Sequence, residues 1–133
     1  MGDLTRNFNL SEFRCKDGAP VPDKYYTNVQ KLAENLQKIR DIIDEPLVIV
    51  SGYRTPEHNR TCGGATNSYH LSAQAADIRC GGLDAVELRQ VILDLIESGE
   101  IMQGGLGLYD TFVHYDIRGT KARWDERKNK DTK

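Results

Sequence analysis

Val29, Leu32, Leu36, Ile39 and Ile43 recur at three- and four-residue steps through an otherwise polar stretch, a spacing that predicts a helix over residues 23–43. Asp44-Glu45-Pro46 stops it, because a proline disfavours helix in the residue before it. Leu47-Val48-Ile49-Val50 is a continuous apolar run rich in β-branched residues, the mark of a buried strand. Ser51 to Tyr69, full of Gly, Asn, Thr and Pro, predicts a long loop, and loops of that length in small domains are often functional. Residues 75–79 predict the next strand. Asp84 then caps a second helix, with Glu87 as the reciprocal cap, Leu88, Ile92, Leu95 and Ile96 as the apolar stripe and Gly99 as the stop. Residues 105–109 and 112–116 predict a hairpin around Asp110-Thr111. Residues 1–20 predict a loop-rich N-terminal arm, ended by Pro20 and Pro22, with Phe8, Leu10 and Phe13 available for packing. The charged tail after Trp124, residues 125–133, is expected to fray. Together these elements predict an α+β fold, a small antiparallel or mixed sheet covered by two helices.

A length of 133 residues fits a single domain over 1–133 with one core, able to stand as a monomer. The formal net charge of -2 gives no reason to expect nucleic acid as partner. No apolar run approaches the roughly 20 residues needed to cross a bilayer, so no membrane insertion is expected. The start, Met1 to Asn7, has no apolar stretch after a basic one, so no signal peptide is read and synthesis in the cytoplasm is expected. Cys15, Cys62 and Cys80 are an odd count without regular spacing, which favours ordinary thiols and leaves one bridge open.

The candidate chemistry lies in two segments. Ser68 to Asp77 holds a histidine and a carboxylate, His70 and Asp77; Phe112 to Asp116 supplies His114 on a predicted strand. Two imidazoles and a carboxylate are a ligand set that leaves a position open on a catalytic zinc. Strand alternation puts Phe112, His114 and Asp116 on one face, with Asp77 able to point the same way from a neighbouring strand. Two histidines alone are more often satisfied in a core than bound to metal; the flanking residues change that weighting.

Those flanking residues resemble peptidase family M15, the zinc D-Ala-D-Ala carboxypeptidase and phage endolysin group of the hedgehog/DD-peptidase fold, in its short single-domain branch. The family motif S-x-H-x-x-G-x-A-x-D is met by Ser68, His70, Ala75 and Asp77, with Ala73 where glycine is usual. Residues 51–59, around Arg54, resemble the family's arginine segment, and Gly104-Gly105-Leu106-Gly107 with residues 112–119 its closing segment. The resemblance implies one Zn2+ held by His70, Asp77 and His114, and Arg54 as the cation that grips a substrate carboxylate or carbonyl. A guanidinium is chemically suited to that task, offering a fixed fork of donors.

The chain departs from the family at the general base. Many relatives carry a glutamate where this chain has Thr111, and others a histidine where it has Phe112. Asp116, on the strand face of His114, is the expected base, with Asp110 in the turn as the alternative; a carboxylate beside zinc can equally orient a ligand. Tyr53, His58, Ser68 and Tyr109 are candidate substrate-binding groups, although His58 is also well placed to hydrogen-bond within its loop. The implied function is a zinc metallopeptidase that cuts peptidoglycan stem or cross-bridge peptides, as carboxypeptidase or endopeptidase. A chain read without a signal peptide would suit a phage-encoded lytic enzyme reaching the cell wall. The alternatives are a catalytically silent zinc-binding module and a phage structural protein on the same fold.

Overall fold

The computed structural model describes residues 2–128. A short 3-10 turn at Asp23–Tyr25, following Pro22, opens into helix α1 (Tyr26–Ile43). Its buried apolar face comprises Val29, Leu32, Ala33, Leu36 and Ile39, the predicted stripe with Ala33 added and Ile43 only half-buried. Asp44 ends it in the left-handed region at φ 58, its N–H bonded to Arg40 O. Strand β1 (Leu47–Ser51) follows, then helix α2 (Pro56–Thr61), strand β2 (Ala75–Cys80) and helix α3 (Ala85–Glu97). The reciprocal cap at α3 forms as the sequence dictates: Glu87 N donates to Asp84 Oδ1 at 2.8 Å and Asp84 N donates to Glu87 Oε1 at 2.9 Å. Strands β3 (Gly105–Leu108), β4 (Val113–Asp116) and β5 (Ala122–Asp125) complete the fold.

The five strands form one mixed sheet in the order β1-β2-β4-β3-β5, antiparallel except for the parallel β3–β5 pair. Alternation divides its two faces. Ala76 and Ile78 on β2, Leu106 and Leu108 on β3, and Val113 and Tyr115 on β4 join Leu32 and Leu36 of α1 and Leu88 and Ile92 of α3 in the core. Each large side chain buried there contributes roughly 1.5–3 kcal/mol. The opposite face carries buried imidazoles and carboxylates, which cost free energy unless paired. The helix-covered face therefore holds the fold, and the other face spends part of that stability. One row of residues crosses all five strands on that second face: Ser51 opposite Asp77, Asp77 opposite His114, His114 opposite Gly107, and Gly107 opposite Trp124.

Three expectations need correction. The stretch 51–69 is not structureless: Thr55 caps α2 by accepting from His58 N at 3.1 Å, Pro56 stands at its start, and a 3-10 turn at Tyr69–Ser72 follows. The tail beyond Trp124 is held as far as described: Asp125 closes β5, Glu126 N bonds Leu108 O, and Arg127 pairs with Asp125. Residues 129–133 of that expected frayed tail lie outside the described residues. The hairpin strands are shorter than predicted, so Phe112 sits in the connection, stacked on Tyr109 with ring centroids 4.5 Å apart. All three cysteines are thiols, Cys15 and Cys80 buried and Cys62 exposed.

Candidate metal centre

β2 and β4 place Asp77 directly opposite His114. The third residue arrives from the 3-10 turn: Ser68 Oγ accepts from His70 N at 3.2 Å, and Ala73 closes the turn in the left-handed region at φ 60, ψ 33. That conformation explains why the motif prefers glycine where this chain has Ala73. His70 is then pinned from behind, its Nδ1 2.6 Å from Gly52 O. Gly52 fits there because a Cβ would lie 2.8 Å from Phe13 O.

His70 Nε2 lies 3.4 Å and His114 Nδ1 3.3 Å from Asp77 Oδ1, with all three residues buried. Donor atoms about 2.0–2.1 Å from one tetrahedral ion stand roughly 3.3–3.4 Å apart, so these two distances suit a group that could hold a metal ion. The partners of the other ring nitrogens fix the tautomers. Gly52 O can only accept, so His70 Nδ1 carries the hydrogen and Nε2 presents a lone pair. Asp116 Oδ2, 2.7 Å from His114 Nε2, does the same for His114 and leaves Nδ1 with the lone pair. Three electron-rich atoms thus face one point, an arrangement that calls for a cation or a proton between them. Burial disfavours charge on both groups, but hydrogen bonds override it. His114, between Asp116 and Asp77, is raised above its ordinary value, and Asp77, between His114 and His70, is held well below the carboxylate range.

Around this triad lies a ring of supporting contacts. Asp116 is 0 % exposed. Its Oδ1 accepts from Gly105 N (2.8 Å), Arg118 N (3.1 Å) and Arg118 Nε (2.9 Å), and its Oδ2 from His114 Nε2 and Arg118 Nη2 (2.8 Å). A Cβ on Gly105 would fall 2.3 Å from Asp116 Oδ2, and one on Gly107 would fall 2.2 Å from Trp124 Nε1. The glycines of the closing segment are therefore clearances, one for a carboxylate and one for an indole that packs on His114 with centroids 4.9 Å apart. Arg54 holds the far oxygen of Asp77: Nη2 donates to Oδ2 at 3.2 Å, Nε to Ser51 Oγ at 3.2 Å and Nη1 to Asn59 Oδ1 at 3.2 Å.

A cleft of about 540 Å³ opens beside the triad, walled by residues 63–69, Arg54, Tyr109, Arg118 and Trp124. Of the sequence-predicted residues, His70, Asp77, His114, Arg54, Ser68 and Tyr109 line it. Asp116 does not fit the base expected of it, because both its oxygens are saturated and no surface is left to meet water. Asp110, the alternative, is exposed outside the cleft lining, where its carboxylate accepts from Lys128 N at 3.1 Å. Tyr53 is core, tilted against Tyr25, and His58 faces Cys15 and Asp17 away from the cleft lining. Sequence reasoning missed Arg118, stacked over Tyr69 at 4.5 Å and near Trp124 at 5.6 Å. It missed Trp124 as well. Arg118 stood two residues past Asp116 in the quoted motif, a spacing that puts it beside that carboxylate; Trp124 gave no such signal.

Two comparisons with known proteins bear on this geometry. The chain is 29% identical over 116 residues to a probable peptidoglycan L,D-endopeptidase, MepK, of Haemophilus influenzae, an alignment covering 77% of this chain and 59% of that protein. The chain thus spans about three fifths of the relative's length. The family description Peptidase M15 matches residues 5–116, a span that includes the triad, Arg54 and Asp116. By that match the chain belongs to peptidase family M15.

Proposed function

We propose that this protein is a zinc-dependent peptidase that hydrolyses peptide bonds of peptidoglycan, as an endopeptidase. The observation that carries the reading is the convergence of His70 Nε2, Asp77 Oδ1 and His114 Nδ1 at the floor of an open cleft. The likeness to a protein named as a probable endopeptidase favours an endopeptidase over a carboxypeptidase. These three residues would hold a zinc ion, which would supply an acidified water and a Lewis acid for the scissile carbonyl.

The chain's own groups do the rest. Gly52 O and Asp116 hold the two imidazoles in the tautomers that present lone pairs. Arg54 steadies Asp77 and uses three of its five N–H donors in doing so. The remaining two serve the oxyanion or a substrate carboxylate at the cleft wall. Tyr109 accepts from Trp124 Nε1 at 3.0 Å, which leaves its own O–H to donate to a bound peptide. Among the described residues Asp77 is the one carboxylate in the cleft lining. Proton transfer then falls to solvent, since Asp77 gives Oδ1 to the ion and Oδ2 to Arg54, and Asp116 acts as the group that orients His114.

That shortage of a base also favours a second reading, a zinc-binding module without catalysis. Purified peptidoglycan incubated with metal-loaded and with chelated protein, followed by mass spectrometry of the products, separates the two. Cleavage at one peptide bond type, abolished by chelator and restored by zinc, supports the enzyme; intact murein under every metal condition overturns it.

A further inference from the structure

Cys15, Asp17 and His58 form a second convergence of ligand types, apart from the cleft. Cys15 Sγ, a carboxylate oxygen of Asp17 and a ring nitrogen of His58 all lie within 4.8 Å of one another. They come from two segments, the turn after Phe13 and the first turn of α2, and both are held by hydrogen bonds. Gly18 N donates to Cys15 O at 2.9 Å, Cys15 N to Ala19 O at 2.8 Å, and Ala19 N to Asp17 Oδ1 at 2.9 Å. Thr55, the cap of α2, ties the segments together. Its N donates to Cys15 Sγ at 3.5 Å, its Oγ1 donates to Asp17 Oδ2 at 3.0 Å, and the same Oγ1 accepts from His58 N.

We propose that Cys15, Asp17 and His58 bind a second divalent metal ion, of the zinc class, that clips the N-terminal segment onto α2. Sulfur, imidazole and carboxylate together are a borderline-soft set that suits zinc. Donors on one tetrahedral ion stand roughly 3.3–3.8 Å apart, so closing from 4.8 Å takes a shift of about 1–1.5 Å. Cys15 is buried, while Asp17 is exposed and His58 half-buried, so the two movable ligands lie on the side from which an ion enters. The fourth position faces solvent and takes water. On binding, the S–H bond breaks, the Sγ–metal bond forms, and the proton leaves to solvent with no change of oxidation state. The backbone N–H of Thr55 already points at the sulfur.

The clip has a consequence for the cleft. α2 carries Asn59, whose Oδ1 holds Arg54 and whose Nδ2 donates to Ala65 O in the cleft wall at 2.9 Å. An ion tying α2 to the N-terminal turn braces that wall from behind. This site stands independently of the peptidase reading.

Cobalt(II) titration of the chelator-stripped full chain tests it, with absorption spectra and elemental analysis as readouts. The cleft triad contains no sulfur, so a thiolate-to-cobalt charge-transfer band reports the second site alone. The expected result is a second equivalent of cobalt accompanied by that band. It is lost in Cys15→Ser, weakened in affinity by at least about tenfold in His58→Ala, and kept in Cys62→Ser and His70→Ala. His58→Ala leaves the buried sulfur in place and so remains informative if Cys15→Ser does not fold. A metal-saturated protein without the band, a band that survives Cys15→Ser, or one that keeps its parental affinity in His58→Ala overturns the proposal.

Discussion

Asp116 Oδ2 accepts the Nε2–H of His114 at 2.7 Å, and this one contact leaves the Nδ1 lone pair of His114 turned toward Asp77. A residue acting through another's tautomer should fail differently from a base. Asp116→Ala is expected to weaken zinc affinity by about 10–100-fold, with activity recovering at saturating zinc. Asp116→Asn should fall between Ala and the parent. Chelator competition measures the affinity; a variant that binds zinc with parental affinity and is inactive would restore Asp116 as the base.

Arg54 should behave in the opposite way. Under the proposed function, Arg54→Ala lowers kcat by about 10²–10³-fold, the usual cost of a lost oxyanion donor, and the loss persists at saturating zinc. Arg54→Lys should recover only part, since one ammonium cannot reach Asp77, Ser51 and Asn59 together. Steady-state rates on muropeptides beside metal analysis check both statements.

The metal-free protein should have its highest thermal stability in mildly acidic solution. Asp77 and Asp116 are depressed below the ordinary aspartate value of 3.8, so their contribution is present above that pH and is lost as pH falls through their folded values. His114 is raised above 6.5, so its contribution is full below that pH and is lost as pH rises through its folded value. Both are complete only between 3.8 and 6.5. Zinc competes with the His114 proton, so added zinc should move the stability maximum to higher pH. Melting curves across the pH range, with and without chelator, test the sign of each limb.

Ala73→Gly should stabilise the fold. A non-glycine residue in the left-handed region costs roughly 1–2 kcal/mol, and the extra freedom of glycine in the unfolded chain returns about 0.5–1 of it. A net gain of about 0.5–1 kcal/mol is expected in urea unfolding, with the slope unchanged.

What the sequence revealed follows from how far apart the interacting residues lie. The stripe of α1 and the caps of α3 are local patterns and form largely as read; the apolar row of β1 gives the strand but not its burial, since β1 lies at the sheet edge with Val48 exposed. The triad was legible because His70 and Asp77 sit in one motif and strand alternation carries His114. The enclosure of Asp116 was not legible for a specific reason. Spacing by two residues puts it on the face of His114, but only the pairing of β3 with β4 brings Gly105 N to its other oxygen. β5 was not legible, since Ala122-Arg123-Trp124-Asp125 has no clean alternation and its partner β3 lies across a parallel crossover. α2 lacks an apolar stripe; Thr55 and Pro56 were the signals that would have found it.

The two imidazoles offer different nitrogens, and so they are not equivalent to amide mimics. Glutamine carries its side-chain oxygen to about the reach of Nε2, asparagine to about that of Nδ1. His70→Gln and His114→Asn therefore keep an oxygen where each lone pair now stands. The exchanged pair, His70→Asn and His114→Gln, leaves one arm short and the other overlong, and ion retention should rank the four variants accordingly.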